Sequence, residues 1–250
     1  MFDYNLWDAI VIPLTTVILI AAAVCLRFAL KNAKPVYRTL PLKIIAVFVP
    51  LLEVAKQIYY NVFEDFTLYI LPLHFCSLFF LFMPLSQFGF KKVREFFKPM
   101  TVIYALLVTI LVYVNPHALI GNSASALFAS FHNTHTFLYH FSVIAYFIFS
   151  VALGDYRPRY KHCINVSCGI AIYASYAVPC AYLLNTNYVN ILYSAFKPLE
   201  DFRLWAGQVA YNVVLFTISV AAVCLICVAS CLIYKAVTKL PLKKNAEKNP

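Results

Sequence analysis

The sequence predicts an all-α fold: a polytopic membrane protein with seven transmembrane helices. Of its 250 residues, 63% are hydrophobic and 12% are charged, and the mean hydropathy is +0.78. A water-soluble domain usually has a charged fraction of roughly 25%, about twice the fraction found here. The apolar residues also form separate runs, most of them near the roughly 20 residues that a helix needs to cross a bilayer.

Short polar or basic connections separate seven predicted spans. The spans run approximately from Leu6 to Leu30, Pro41 to Val62, Phe66 to Leu85, Met100 to Val114, Thr134 to Leu153, Cys163 to Leu184 and Ala210 to Tyr234. We expect a single transmembrane domain over residues 1–234, followed by a basic cytoplasmic tail over residues 235–250. A cleavable signal peptide is not expected, because Asp3 and Asp8 stand where such a peptide needs positive charge.

The distribution of basic residues predicts the orientation in the membrane. Sixteen of the 20 lysine and arginine residues follow spans one, three, five and seven. Because cytoplasmic loops carry the excess of positive charge, the N-terminus is predicted on the outer side of the cell membrane and the C-terminus on the cytoplasmic side. The net charge of +10 is therefore explained by topology and by anionic lipid headgroups, and nucleic acid is not an expected partner.

All eight cysteines lie within spans or at their edges, so structural disulfides are not expected. Three of them, Cys224, Cys227 and Cys231, are spaced i, i+3 and i+7 and share one face of span seven. Buried cysteines usually act as small apolar packing residues, and this is the interpretation we favour for the stripe. Palmitoylation of Cys231 is the alternative.

Ionisable side chains inside spans are costly and usually face a bundle interior or a wet cavity. Span two contains Glu53, Lys56 and Gln57, and the i, i+3 spacing of the first two predicts an ion pair. Such a pair either fixes helix packing or forms the floor of a polar cavity. Span three contains His74 and Cys76 next to Pro72; on a regular helix the two side chains would point about 200° apart.

Span five adds His132, His135 and His140 in an H-x2-H-x4-H pattern that is compatible with a metal site. Helical rise places Cys76 roughly 15 Å and His140 roughly 9 Å below the outer boundary. The ends of spans six and seven add Asn187, Tyr188 and Tyr211 on the same side. Polar groups from five spans thus converge on the outer half of the bundle, which predicts an outward-opening pocket.

Four short motifs resemble the YwaF-type bacterial integral membrane family, which is related to the transmembrane protein 164 acyltransferases. They are Leu-Pro-Leu-His-Phe-Cys in span three, Glu-x-x-Lys-Gln-Ile-Tyr in span two, Phe-x-x-x-His at the start of span five and Thr-Asn-Tyr after span six. The resemblance implies a seven-span bundle in which Cys76 and His140 transfer acyl groups onto lysophospholipid. The eukaryotic motif has Asn where this chain has His74, so the role of His74 is open.

The hypothesis that follows is acyl transfer with Cys76 as nucleophile and His140 as base, and with Asn187, Gln57 or Lys56 stabilising the oxyanion. An outward pocket favours a phospholipid or lysophospholipid partner over cytosolic acyl-CoA. No cofactor and no metal are expected. Three alternatives stay open: a metal-dependent seven-span lipid hydrolase using the histidines, a carrier or receptor that binds a ligand without turnover, and a purely structural membrane protein.

Overall fold

The computed structural model describes residues 6–116 and 126–239, where all regular structure is helical. Nine α-helices lie wholly within these residues: α1 Leu6–Ala29, α2 Pro35–Arg38, α3 Leu40–Val62, α4 Phe79–Phe88, α5 Lys91–Val114, α6 Phe131–Ala152, α7 His162–Leu183, α8 Lys197–Ala206 and α9 Gln208–Lys239. Single 3₁₀ turns occur at Leu68–Ile70, Phe75–Leu78 and Tyr188–Asn190.

Five of these helices, α1, α5, α6, α7 and α9, are long and apolar enough to cross a membrane. The prediction of an all-helical, multi-pass membrane protein is therefore confirmed. Helix α3 has 23 residues, which gives it a spanning length of roughly 35 Å, and it contains Glu53 and Lys56 in its second half. The count of seven spans and the orientation stay predictions.

The third predicted span is not one continuous helix, and the prediction of Phe66–Leu85 as such was wrong. The chain makes a 3₁₀ turn at Leu68–Ile70, is extended at Leu71 and at His74, and turns helical again only from Phe75 to Phe88. The cause is Pro72, which lacks an N–H and disfavours helical geometry in the residue before it. We call residues 66–78 the interrupted segment.

Two predicted boundaries also move outward. Helix α5 begins at Lys91, nine residues before Met100, because lysine and arginine are good helix formers whose long apolar stems lie along the helix surface. Helix α9 continues to Lys239, so residues 235–239 of the predicted tail are helical. Residues 240–250 of that tail lie outside the described part of the chain.

Helices α5 and α6 form the centre of the bundle, and half of each apolar window is buried. Helix α4 packs against α3 and α5, α6 packs against α3 and α5, and α7 packs against α5. Helix α1 packs against α6, and α9 packs against α7 and α5, at the edge of this group, where most of their apolar surface is left for lipid. Apolar residues facing outward on peripheral helices are expected when lipid, rather than water, surrounds a bundle.

Helices α5 and α7 approach closely at Gly169. The Tyr104 hydroxyl of α5 donates to the Val166 carbonyl at 2.5 Å, and a Cβ at Gly169 would collide with that hydroxyl. The absence of a side chain at Gly169 therefore permits the hydrogen bond between the two helices.

The short amphipathic helix α8 lies between the two last predicted spans. Arg203 holds the Glu200 carboxylate through Nε and Nη2, which make three hydrogen bonds of 2.5 to 3.1 Å to its oxygens. This side-chain hydrogen bonding lowers the pKa of Glu200 to about 2, with help from the backbone N–H of Ser194.

Candidate active site

The interrupted segment is held in place by side chains from several elements. Backbone carbonyls outside a helix need protein partners at membrane depth, because lipid offers no hydrogen-bond donors. Five carbonyls of the segment have such partners: Leu68 O accepts from Tyr188 Oη, Tyr69 O from His74 Nε2 at 3.0 Å, Ile70 O from Gln57 Nε2 at 2.9 Å, Leu73 O from Tyr173 Oη at 2.9 Å and Cys76 O from Tyr139 Oη at 3.1 Å. Because the donors come from α3, α6, α7 and the loop after α7, the segment ties much of the bundle together.

A charged cluster on α3 lies beside this segment. Glu53 and Lys56 form the predicted ion pair, with 2.7 Å between Lys56 Nζ and Glu53 Oε1. Gln57 Nε2 donates to the same carboxylate oxygen at 2.9 Å and also to the Ile70 carbonyl. Only 6% of the Glu53 side chain is exposed, so the pair needs these extra bonds to offset desolvation. Gln57 thus couples the ion pair to the interrupted segment.

The three span-five histidines have separate partners. His132 Nδ1 shares a hydrogen bond of 2.9 Å with the Tyr60 hydroxyl, whereas His135 Nε2 donates to the Leu52 carbonyl at 3.1 Å. His135 also lies between the rings of Phe131 and Tyr139. Within residues 6–116 and 126–239, no three His, Cys, Asp or Glu side chains are grouped so that they could hold a metal ion. The histidine pattern therefore gives no metal centre in the part of the chain that the structure describes.

His140 has one bonded and one free ring nitrogen. Its Nδ1 lies 2.8 Å from the Thr136 carbonyl, and since a carbonyl can only accept, Nδ1 carries the hydrogen. Its Nε2 is buried and has no hydrogen-bond partner among the described residues. The ring is only 6% exposed. A buried acceptor without a partner costs about 1–3 kcal/mol and is uncommon in folded proteins, so it is a candidate for a functional group.

Cys76 lies in the first turn of the helical stretch Phe75–Phe88. The N–H groups at a helix N-terminus favour negative charge, although the Ser77 N–H already donates to the His74 carbonyl at 3.0 Å. The Tyr139 hydroxyl holds the Cys76 carbonyl, and His140 is the next residue along α6. The structure gives no hydrogen bond between Cys76 Sγ and the free His140 nitrogen, and it joins the predicted pair only through the neighbouring Tyr139.

Lys56 is the cation of the charged cluster on α3, and only 14% of its side chain is exposed. Lys56 has three N–H donors, and the only partner that the described residues give it is Glu53. Lys56 thus has donors to spare, and Asn187 keeps one, because its Nδ2 carries two N–H groups and one of them donates to the Tyr193 carbonyl.

Two cavities meet at the interrupted segment. The first, of about 590 Å³, is lined by Tyr69 and His74 and by polar residues of the loop after α7, and the described residues that line it include no Asp, Glu, Lys or Arg. The second, of about 490 Å³, contains Cys76 and is lined mainly by apolar side chains of α5, α7 and α9. His74, Val189 and Asn190 line both cavities, so a polar and an apolar cavity adjoin within two residues of Cys76.

Two of the predicted site residues, Asn187 after span six and Tyr211 at the start of span seven, hold the loop after α7 in place. Asn187 Nδ2 donates to the Tyr193 carbonyl at 3.0 Å and its Oδ1 accepts from the Leu192 N–H at 2.9 Å. The Tyr211 hydroxyl donates to the Asn190 carbonyl. Asn187 also lines the polar cavity, and one of its two Nδ2 N–H groups has no acceptor among the described residues, so it remains available for the predicted role as oxyanion donor.

The cysteine stripe of α9 packs as the sequence predicts. Cys227 and Cys231 are at most 1% exposed, and Cys224 Sγ contacts Ser167 Oγ of α7 at 3.3 Å. All eight cysteines are free. Because Cys231 is buried, the structure does not favour its palmitoylation.

Sequence reasoning missed Tyr139 and Tyr173, although their hydroxyls hold two carbonyls of the interrupted segment. One signal was available for Tyr139, which follows His135 by one helical turn and precedes His140 directly. Tyr173 had no comparable signal, because it lies 100 residues from its partner Leu73 and within an ordinary apolar run.

The sequence profile of the TMEM164 family matches residues 1–231. The chain belongs to the TMEM164 family. This match confirms the resemblance to the transmembrane protein 164 proteins, and it spans every side chain of the candidate site. No curated protein and no solved structure matches the sequence.

Proposed function

We propose that this TMEM164-family protein is a membrane-embedded transacylase that moves acyl chains between phospholipids through a thioester on Cys76. The main support is the free Nε2 of His140, a buried lone pair whose ring is fixed through Nδ1. An imidazole held in this tautomer is ready to accept a proton from a thiol.

The adjoining cavities support a glycerolipid as the substrate. Its carboxylic ester lies between a polar headgroup and an apolar acyl chain. The headgroup fits the polar cavity and the acyl chain fits the apolar cavity that contains Cys76. The ester would then lie near His74, where the two cavities adjoin, within reach of the sulfur.

The reaction has two balanced half-steps. His140 Nε2 takes the Cys76 proton while the sulfur attacks the ester carbonyl, and the carbon–oxygen bond breaks as His140 returns the proton to the departing lysophospholipid oxygen. A second lysophospholipid hydroxyl then attacks the thioester after giving its proton to His140, and that proton returns to the Cys76 sulfur. Water in place of the second hydroxyl gives hydrolysis.

Charge on the carbonyl oxygen needs stabilisation in both half-steps. The candidate donors are the unoccupied N–H groups of Lys56, the second amide N–H of Asn187, which lines the polar cavity, and the backbone N–H of Cys76. Catalytic hydrogen bonds often form fully only when the substrate is bound, so we expect Cys76 and His140 to approach each other in the lipid complex.

The leaflet determines the acyl donor. In the predicted orientation the polar cavity opens to the outer side, which the charged headgroup of cytosolic acyl-CoA does not reach. A phospholipid of the outer leaflet is therefore the proposed donor, and the reaction is independent of CoA.

The test is acyl exchange by purified protein in liposomes that contain a labelled phospholipid and an unlabelled lysophospholipid, followed by mass spectrometry. Cys76→Ala and His140→Ala should each abolish exchange, and the double variant should be no worse than either single, because residues that act as a unit are non-additive. Cys224→Ala is the matched control, since it removes a half-buried thiol of α9. Full exchange by well-folded Cys76→Ala would refute the covalent mechanism.

A further inference from the structure

A third cavity lies at the basic end of the bundle, away from Cys76. It has a volume of about 720 Å³ and is formed by the first turns of α5, the loop between α6 and α7, and the first turn of α7. Its lining includes five cationic side chains and two carboxylates: Lys92, Lys98, Arg157, Arg159 and Lys161, with Glu95 and Asp155. Five positive charges against two negative leave +3 when His162 is neutral.

A buried polar network fixes one wall of this cavity. Lys98 Nζ lies 2.7 Å from Asp155 Oδ1, and only 9% of the Asp155 side chain is exposed. Gln87 Nε2 donates to the other Asp155 oxygen at 3.3 Å and to the Tyr146 hydroxyl at 2.6 Å. Asp155 is therefore neutralised by Lys98, and only Glu95 offsets the other four cations.

The loop that carries the two arginines is also held in place. His162 Nδ1 accepts from the Arg159 N–H at 3.2 Å and from the Tyr156 hydroxyl at 3.0 Å. The Ser150 carbonyl accepts from the N–H groups of Asp155 and Tyr156. The loop backbone is thus preorganised, whereas the side chains of Arg157 and Arg159 make no ion pair with any described residue.

We propose that this cavity binds the phosphate of an anionic phospholipid headgroup in the leaflet at the basic end of the bundle. Guanidinium groups bind phosphate oxygens through two parallel hydrogen bonds, which makes arginine pairs well suited to this ligand. Basic pockets between helices at the cytoplasmic surface are known to take anionic headgroups. The cavity lies where apolar helices α5, α6 and α7 begin or end, which is the level of the headgroups, and this favours a lipid over a soluble phosphate ester.

The test uses the full-length protein in nanodiscs made from four parts phosphatidylcholine and one part phosphatidylglycerol. Phosphatidylglycerol retained after detergent extraction is measured by native mass spectrometry. The double variant Arg157→Gln/Arg159→Gln should retain about tenfold less phosphatidylglycerol than the wild type, since one lost charged hydrogen bond is already worth that factor. The matched control is Lys34→Gln/Lys91→Gln, which removes the same charge from the same end without touching the cavity lining.

Three results would overturn the proposal. Equal loss in the control would mean general surface attraction, and no loss in either variant would mean that the arginines bind no lipid. Displacement of phosphatidylglycerol by millimolar glycerol phosphate or inorganic phosphate would make the ligand a soluble phosphate. Lys161→Gln, at an exposed lining position, is a second variant for the case that the double variant does not fold, and it should also reduce retention.

Discussion

The hydroxyl of Tyr173 offers a direct test of how the interrupted segment is stabilised. It donates to the Leu73 carbonyl at 2.9 Å, and the ring is 2% exposed. In Tyr173→Phe this carbonyl loses the partner that the structure gives it, in a stretch that has no helical ladder to replace it. Tyr176→Phe is the matched control, because Tyr176 lies one turn further along α7, makes an edge-to-face contact with Tyr173 at 5.6 Å, and its hydroxyl has no partner among the described residues.

The expected magnitude follows from the position of the bond. An ordinary interhelical hydrogen bond in a membrane contributes about 0.6 kcal/mol, because the unfolded chain in the bilayer also finds partners. An unpaired carbonyl in a low-dielectric site costs about 1–3 kcal/mol, and this value applies to a non-helical segment. Since 1 kcal/mol corresponds to roughly 2–4 °C for a chain of this size, Tyr173→Phe should lower the unfolding temperature by several degrees.

The assay is thermal unfolding of the two variants in the same detergent, with the folded fraction at each temperature measured by size-exclusion chromatography. Tyr173→Phe should also reduce acyl exchange, because Leu73 precedes the turn that carries Cys76. Equal unfolding temperatures for Tyr173→Phe and Tyr176→Phe would refute the view that side-chain donors hold this segment.

Three further predictions concern topology, packing and pH. Cysteine introduced at Lys197 should react with an impermeant maleimide in intact cells and cysteine at Lys92 should not; the reverse pattern would invert the orientation. Gly169→Ala should lower stability by about 1–3 kcal/mol, because the new methyl group displaces the Tyr104 hydroxyl, whereas unchanged thermal unfolding would contradict this close contact. Because the pKa of Glu200 is lowered from its ordinary value near 4.5 to about 2, its ion pair stabilises the fold above pH 4.5 and less as the pH falls toward 2. Glu200→Gln should therefore remove part of the loss of stability between pH 5 and pH 2 in acid unfolding, and an unchanged profile would contradict that role.

The sequence predicted most helices because their apolar runs have the length that a bilayer requires. It failed at Phe66–Leu85 because hydropathy alone does not show that Pro72 breaks the helix, and at Met100 because basic residues were taken as loop although they extend α5. Within the site, the Glu53–Lys56 pair followed from local spacing.

The partners of the interrupted segment could not be predicted in the same way. Gln57, His74 and Tyr188 were chosen as polar side chains near a pocket, and the structure shows that each holds a backbone carbonyl. Such bonds join residues up to 120 positions apart, and they depend on where the helix breaks. The free nitrogen of His140 is likewise a property of the packed bundle, since periodicity does not reveal which ring atom lacks a partner.

The most direct test of the proposed mechanism is the intact mass of the purified protein after incubation with phospholipid in the absence of lysophospholipid. The thioester mechanism predicts one added acyl chain on Cys76, which neutral hydroxylamine removes and which is absent from Cys76→Ala. An unmodified wild-type protein that still exchanges acyl chains, or an acyl adduct that persists in Cys76→Ala, would contradict it.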